Sequence, residues 1–390
     1  MPQIPRSKNL LIPVYIASLL YSFHYALPLY IESSFISQFL KADQAVGIIF
    51  AISALITILV TLTIPRTMRR FGNYRITRAA MVLEIAMLII LAFSSSAFLV
   101  IPAFIIHQAL LSLLYLNLDT FLEAFSSDAI TGGIRGVFLT IMNVAVAVAP
   151  FLAGVLLTDH DFWKVYLLST VCMIGMYFVV RRNFKDYQDP TYTVPPFWET
   201  FRIVKNSHDL HSIIFIHFLL NFFYAWMVIY TPIYLNEHMG IAMSDILTFI
   251  MPIALIPFIV LQVFLGKIAD NKLGEKEILT AGFLIMAIAT AGLSFITTSG
   301  ILIWTAVLFF TRVGASAVEV MAESYFYKKV GPDDMHLVTF MRTIRSAAYL
   351  VGPLVGALTL TYLDYRFLFV VLGAIMLMGV PYSLTIKDSR

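Results

Sequence analysis

With a single cysteine, Cys172, in 390 residues, the chain has no partner for a disulfide and cannot be a disulfide-stapled scaffold. Charge is also scarce. Asp, Glu, Lys and Arg make up 13% of the residues against 60% hydrophobic ones, and mean hydropathy is +0.86. A water-soluble domain carries nearer about 25% charged residues, so a soluble globule is excluded. Disorder is excluded by the same hydrophobicity. The net charge of +3 leaves no basic face for nucleic acid. No phosphate loop, dinucleotide glycines or nucleophile elbow occurs, so no ATP, no cofactor and no enzyme chemistry are expected. The one histidine-rich stretch, His208, Asp209, His211 and His217, straddles a loop and a helix start without the ligand spacing of known metal sites, so no metal is expected there.

What the chain has in abundance is long apolar runs. Crossing a bilayer core as a helix takes about 20 residues. Such runs occur at 11–33, 44–64, 76–96, 98–124, 135–157 and 163–181, and again at 211–235, 244–265, 277–297, 300–326, 337–361 and 365–385. They are too long and too irregular for strands, which predicts an all-α polytopic membrane protein with twelve transmembrane helices. The opening MPQIPRSK lacks a small-residue cleavage site before the first run, so it reads as the entry to the first span. Short cytoplasmic loops retain positive charge. Of the 26 lysines and arginines, the loops after even-numbered spans and the termini hold 20. Lys41, Lys164 and Arg366 fall on the other side, and Arg312, Arg342 and Arg345 fall inside spans. Both termini are therefore expected in the cytoplasm, and the compact chain suggests a bacterial inner membrane.

The polar stretch 182–210 divides the chain into an N-terminal bundle, 1–181, and a C-terminal bundle, 211–390. Within it, PPFWETFRIVK has the pattern of an amphipathic surface helix, with a plain linker as the other reading. The two bundles repeat each other at an offset of about 200 residues. Tyr25, Ala26 and Tyr30 answer to Tyr224, Ala225 and Tyr230; Asp119 and Glu123 to Glu319 and Glu323; Ala149, Pro150 and Gly154 to Gly352, Pro353 and Gly356. GKIADNKLGEK at 266–276 contributes Gly266, Asp270 and Gly274. Its first-half copy, PRTMRRFGNYR, keeps Arg70 and Gly72 but has Pro65 and Arg69 in place of the glycine and the aspartate.

Two six-span halves, a central loop and this loop motif resemble the major facilitator superfamily, whose internal symmetry is well known. The resemblance covers the whole chain. It implies two pseudo-symmetric six-helix bundles, a monomer, and transport by alternating access. It further implies a cytoplasmic gate that includes Glu123, Arg135 and Glu323 with the motif residues, and a cavity lined by the first and seventh spans.

An ionisable side chain inside a membrane costs several kcal/mol, about 2.5 to 3.5 on insertion scales, and is a functional candidate by default. The fourth span carries Gln108, Ser112, Tyr115, Asp119 and Glu123 on one stripe; the tenth carries Arg312, Ser316, Glu319 and Glu323. Asp119, Glu319 and His24 are candidates for carrying a coupling proton. For the two acids, a permanent ion pair with Arg312, Arg342 or Arg345 is the competing reading; for His24, a satisfied neutral ring. Tyr25, Asn221, Tyr224, Trp226 and Gln262 are candidates for the cavity lining, with helix packing as the alternative. Arg312 and Arg345 either hold an anionic group of a substrate or neutralise Glu319 and Glu323. Glu84, His107 and Asn143 are weaker signals, and Glu84 is expected to brace Arg75 or Arg78.

The resulting expectation is a secondary active transporter of a small solute, proton-coupled, exporting an amphipathic compound or metabolite by antiport. A sugar or organic-anion porter is the first alternative. A lipid-handling or receptor-like membrane protein without solute transport is the second.

Overall fold

The structure, a computed structural model, describes residues 11–125, 131–157, 161–187, 189, 197–269, 274–330 and 335–386, and every element in them is helical. Among these residues ten helices are long and apolar enough to cross a membrane. Two further apolar helices, Leu11–Ala26 and Thr140–Leu156, are shorter in their described parts. The outward faces of the long helices carry large apolar side chains such as Phe98, Leu302 and Ile288. That is the pattern of helices whose outer solvent is lipid.

Residues 1–35 and 55–194 form one compact unit, and 36–54 with 195–390 form the other. The first contains α1 (Leu11–Ala26), the start of α2 (Glu32–Ser37), most of α3 (Asp43–Phe71), α4 (Asn73–Phe93), α5 (Ala97–Phe125), α6 (Thr131–Leu156) and α7 (Phe162–Asn183). Here α1 packs on α5, α6 and α7, while α4 packs on α5 and α7. The second unit holds α8 (Phe197–Asn206), α9 (His208–Ile233), α10 (Met243–Asp245), α11 (Met251–Ile268), α12 (Glu275–Gly292), α13 (Ile301–Lys329), α14 (Met335–Tyr362), α15 (Leu368–Leu377) and α16 (Gly379–Thr385). Its centre is α13, which lies against α9, α11 and α12. Gly282 and Gly314 let α12 and α13 cross closely: a Cβ on Gly314 would lie 2.5 Å from the backbone nitrogen of Met286.

The first span is not the continuous helix expected over 11–33. After Ala26 the helix breaks, and a new one begins at Glu32. Pro28 is the cause. It has no N–H for the carbonyl of His24, four residues back, and its ring would collide with that carbonyl in a regular helix. The Ser169 hydroxyl of α7 takes the place of the missing donor, 2.9 Å from the His24 carbonyl oxygen. A backbone acceptor stranded in an apolar layer is thereby satisfied.

The repeated loop motif has a geometric counterpart. Gly72 (φ 81°, ψ 149°) and Gly274 (φ 91°, ψ 173°) each stand immediately before a helix, α4 and α12, in backbone conformations that L residues avoid. Where the first-half motif lacks its aspartate, Asp189 supplies a carboxylate. Its Oδ1 accepts the Asn73 N–H at 2.7 Å, at the positive end of α4. In the second unit Glu275, buried in the first turn of α12, pairs with Lys328 at 2.6 Å. Gly274→Ala is expected to destabilise the protein by about 1–3 kcal/mol, the usual cost of a side chain held in that region. Thermal unfolding in detergent checks this, with Gly240→Ala, where a Cβ meets open space but φ is also positive, as the comparison that isolates backbone strain from crowding.

Candidate functional site

The break in the first span places His24 at the C-terminal end of α1 and Glu32 at the N-terminal end of α2. Those are the ends where a helix favours a cation and an anion respectively. Around them the first unit gathers a buried polar cluster. His107 of α5 lies between two carboxylates. Its Nδ1 is 2.5 Å from Glu84 Oε1 on α4, and its Nε2 is 3.3 Å from Glu32 Oε1. His24 Nε2 is 3.1 Å from the same Glu84 oxygen. Gln108 donates from Nε2 to Glu32 Oε2 at 2.6 Å. His24, Glu84 and His107 are fully buried, and Glu32 is 3% exposed.

Hydrogen-bond counting fixes the charge of this group. Ser169 spends its only proton on the His24 carbonyl, so its oxygen accepts from His24 Nδ1, 2.7 Å away. Three further nitrogen–oxygen contacts then each require one proton between them. Wherever along each contact that proton sits, two imidazoles and two carboxylates sharing these protons sum to zero. A neutral, mutually paired cluster is the form in which ionisable groups persist away from water.

Glu84 therefore does not brace Arg75 or Arg78, as the sequence suggested. Arg78 instead bonds to the Tyr177 hydroxyl and lies over the rings of Tyr74 and Tyr177. Glu84 faces the bundle interior because an acid in that layer needs basic partners, and His24 and His107 are the ones α1 and α5 bring to it. Ser169, on which the arrangement also depends, was not among the sequence candidates.

The second unit holds a different polar group. Glu319 on α13 is half-buried, and its Oε2 accepts the Gln262 amide of α11 at 2.9 Å. Glu323, Tyr224 and Arg345 are its electrostatic neighbours. Arg312, two turns away, is 3% exposed and lies over the Phe223 ring at 5.3 Å. Arg345 is exposed and lies over Tyr349 at 5.8 Å. Ser316, between Arg312 and Glu319, is turned to the Pro257 carbonyl. Asn221 is half-buried, and its amide bonds to the His217 carbonyl one turn back.

The other candidates fall as follows. Trp226 is fully buried between Phe222 and Tyr230, at 5.5 and 5.6 Å, and so packs the unit's core. Tyr25 is half-buried and stacks on Tyr21, whose hydroxyl donates to the Leu111 carbonyl. Asp119 is buried in the first unit. Glu323 is exposed, and the two lysines that follow it on α13 pair with other acids, Lys328 with Glu275 and Lys329 with Asp209. Arg70 is exposed over Phe71, and Gly266 has open space around it. Asp270 and the side chains of Glu123, Arg135 and Arg342 lie outside the described residues.

Comparison with known proteins agrees with this helical architecture. Residues 14–344 match the Major Facilitator Superfamily. Among solved structures, the chain is similar to the nucleoside transporter NupG, with a TM-score of 0.77 and 11% identity over 97% of this chain and 100% of that one. It is also similar to a bacterial homologue of the human lysosomal transporter Spinster in an inward-facing, occupied conformation. That TM-score is 0.70, with 11% identity over 98% of this chain and 94% of the other. No curated protein matches by sequence.

The buried cluster predicts strong coupling between its members. Glu84→Gln replaces the carboxylate shared by two imidazoles with a neutral amide and is expected to cost about 3–5 kcal/mol. Adding His107→Gln to it should cost much less than His107→Gln alone. A double-mutant cycle read by unfolding in detergent checks this; additive losses would contradict the shared contact.

Proposed function

The chain belongs to the Major Facilitator Superfamily and is an integral membrane transporter, and we propose that it moves its solute by alternating access against a proton, with Glu319 carrying the coupling proton. One observation supports this choice above the rest: the Glu319 carboxylate is half-buried and its hydrogen bond comes from a neutral amide, Gln262. It can gain or lose a proton without stranding a bonded cation. Glu32 and Glu84 differ, because each is tied to an imidazole in a group that is already neutral. A carboxylate that is alternately shielded and wetted as helices rearrange binds its proton on one side and releases it on the other.

The solute we propose is an amphipathic compound, exported in exchange for protons. The half-buried tyrosines Tyr25 and Tyr115 of the first unit offer apolar faces with polar tips, the chemistry that holds such a compound. The lysine- and arginine-rich loops are assigned to the cytoplasmic side. A second reading, an organic-anion porter, is favoured by one feature, the buried guanidinium of Arg312, 3% exposed on the helix that also carries Glu319.

Inverted membrane vesicles loaded by an imposed pH gradient test the first reading, with a fluorescent amphipathic cation as probe. Wild-type vesicles should concentrate the probe, and Glu319→Gln should reduce gradient-driven accumulation to background while leaving the protein folded. Undiminished accumulation by Glu319→Gln would remove Glu319 from the coupling. Arg312→Gln separates the readings: it should spare cation transport and weaken only anion transport.

A further inference from the structure

We propose that His24, His107 and Glu84 form a binding site for one divalent transition-metal ion. The inference does not rest on the role given to Glu319, which lies in the other unit. Three donors converge from three helices, α1, α4 and α5. Two ring nitrogens and a carboxylate oxygen lie within 4.8 Å of one another, all on fully buried side chains. Glu84 Oε2 has no hydrogen-bond partner among the described residues, so it has a lone pair to give to the site.

Donors about 2.0–2.2 Å from a tetrahedral ion stand about 3.3 Å apart. The His24–Glu84 contact, 3.1 Å, already has that spacing. The His107–Glu84 contact, 2.5 Å, must open by less than 1 Å, roughly one ordinary side-chain adjustment. Behind each ring stands the group that orients a metal-binding histidine. His107 Nε2 faces Glu32, and His24 Nδ1 faces Ser169. Both contacts can persist with a metal in place, because each uses the nitrogen pointing away from Glu84.

Charge makes the exchange balanced. A divalent ion takes the positions of two protons, one between each ring and Glu84, and the cluster stays neutral. Two imidazoles among three donors favour a borderline ion such as Zn²⁺ or Co²⁺ over the oxygen-seeking Mg²⁺ or Ca²⁺. In this closed arrangement the ion would staple the three helices at the break in the first span.

The test uses the full chain, purified after growth in Zn²⁺-supplemented medium and then desalted. We expect one retained Zn²⁺ per chain and a raised unfolding temperature. Loading with Co²⁺ should give the absorption of a four- or five-coordinate ion with no thiolate charge-transfer band. Binding heats compared in two buffers of different ionisation enthalpy should report close to two protons released per ion. Retention should survive His208→Ala/His211→Ala and Cys172→Ala, which remove surface donors and the thiol. It should be lost in His107→Gln. Ser169→Ala, which keeps every ligand, should weaken binding by about 10–100-fold. The wild-type stoichiometry, spectrum and proton count stand even if the ligand variants fold poorly. A wild-type protein that retains no metal would overturn the site, as would retention that disappears with the surface histidines or binding that releases no protons.

Discussion

Pro28 cannot donate a hydrogen bond to the carbonyl of His24, and inside a bilayer that carbonyl has no water to turn to. The first unit is arranged around this one deficiency. Ser169 reaches across from α7 to satisfy the carbonyl, and in doing so its oxygen becomes an acceptor for the His24 ring. That contact turns Nε2 of the ring toward Glu84. The same break starts a new helix at Glu32, whose carboxylate reaches His107. A missing backbone donor thus fixes the tautomer of one histidine and the placement of one acid. The result is a neutral cluster where isolated charges would be prohibitive.

The two units solve the same problems with different residues. Both use a glycine of positive φ to enter the helix after their loop motif, and both put a carboxylate near that helix start. In the second unit Glu275 follows the glycine directly and is held by Lys328. In the first, Asp189 comes from beyond α7. Their polar interiors diverge further. The first unit locks its acids to histidines, while the second leaves Glu319 on an amide with Arg345 as an electrostatic neighbour. We read this divergence as a division between a structural charge cluster and a titrating group.

Much of the fold was legible in the sequence because bilayer length and hydrophobicity are strong, local constraints. The apolar runs, the repeat at about 200 residues and the paired glycines needed nothing beyond the order of residues. The pairing of Glu319 with Gln262 was half legible: both were singled out, but nothing in their spacing joined α13 to α11. The His24, Glu84, His107 cluster was not legible as a group. Its members are 60 and 23 residues apart on three helices, and no short motif carries them. Glu84 was expected to brace Arg75 or Arg78, when burial of an acid required inward partners. Pro28 was the available signal, since a proline inside a span always frees one carbonyl whose new donor must be found. Trp226, read as cavity lining with helix packing as the alternative, is fully buried between Phe222 and Tyr230.

The division of labour between the two polar groups can be seen directly by infrared difference spectroscopy of the protein in lipid, recorded as the pH is stepped across neutrality. A buried protonated carboxyl group absorbs apart from its carboxylate. The account predicts one titrating carboxyl band in the wild type that is absent in Glu319→Gln. A band that persists unchanged in Glu319→Gln would show that the titrating acid lies elsewhere and would contradict the account.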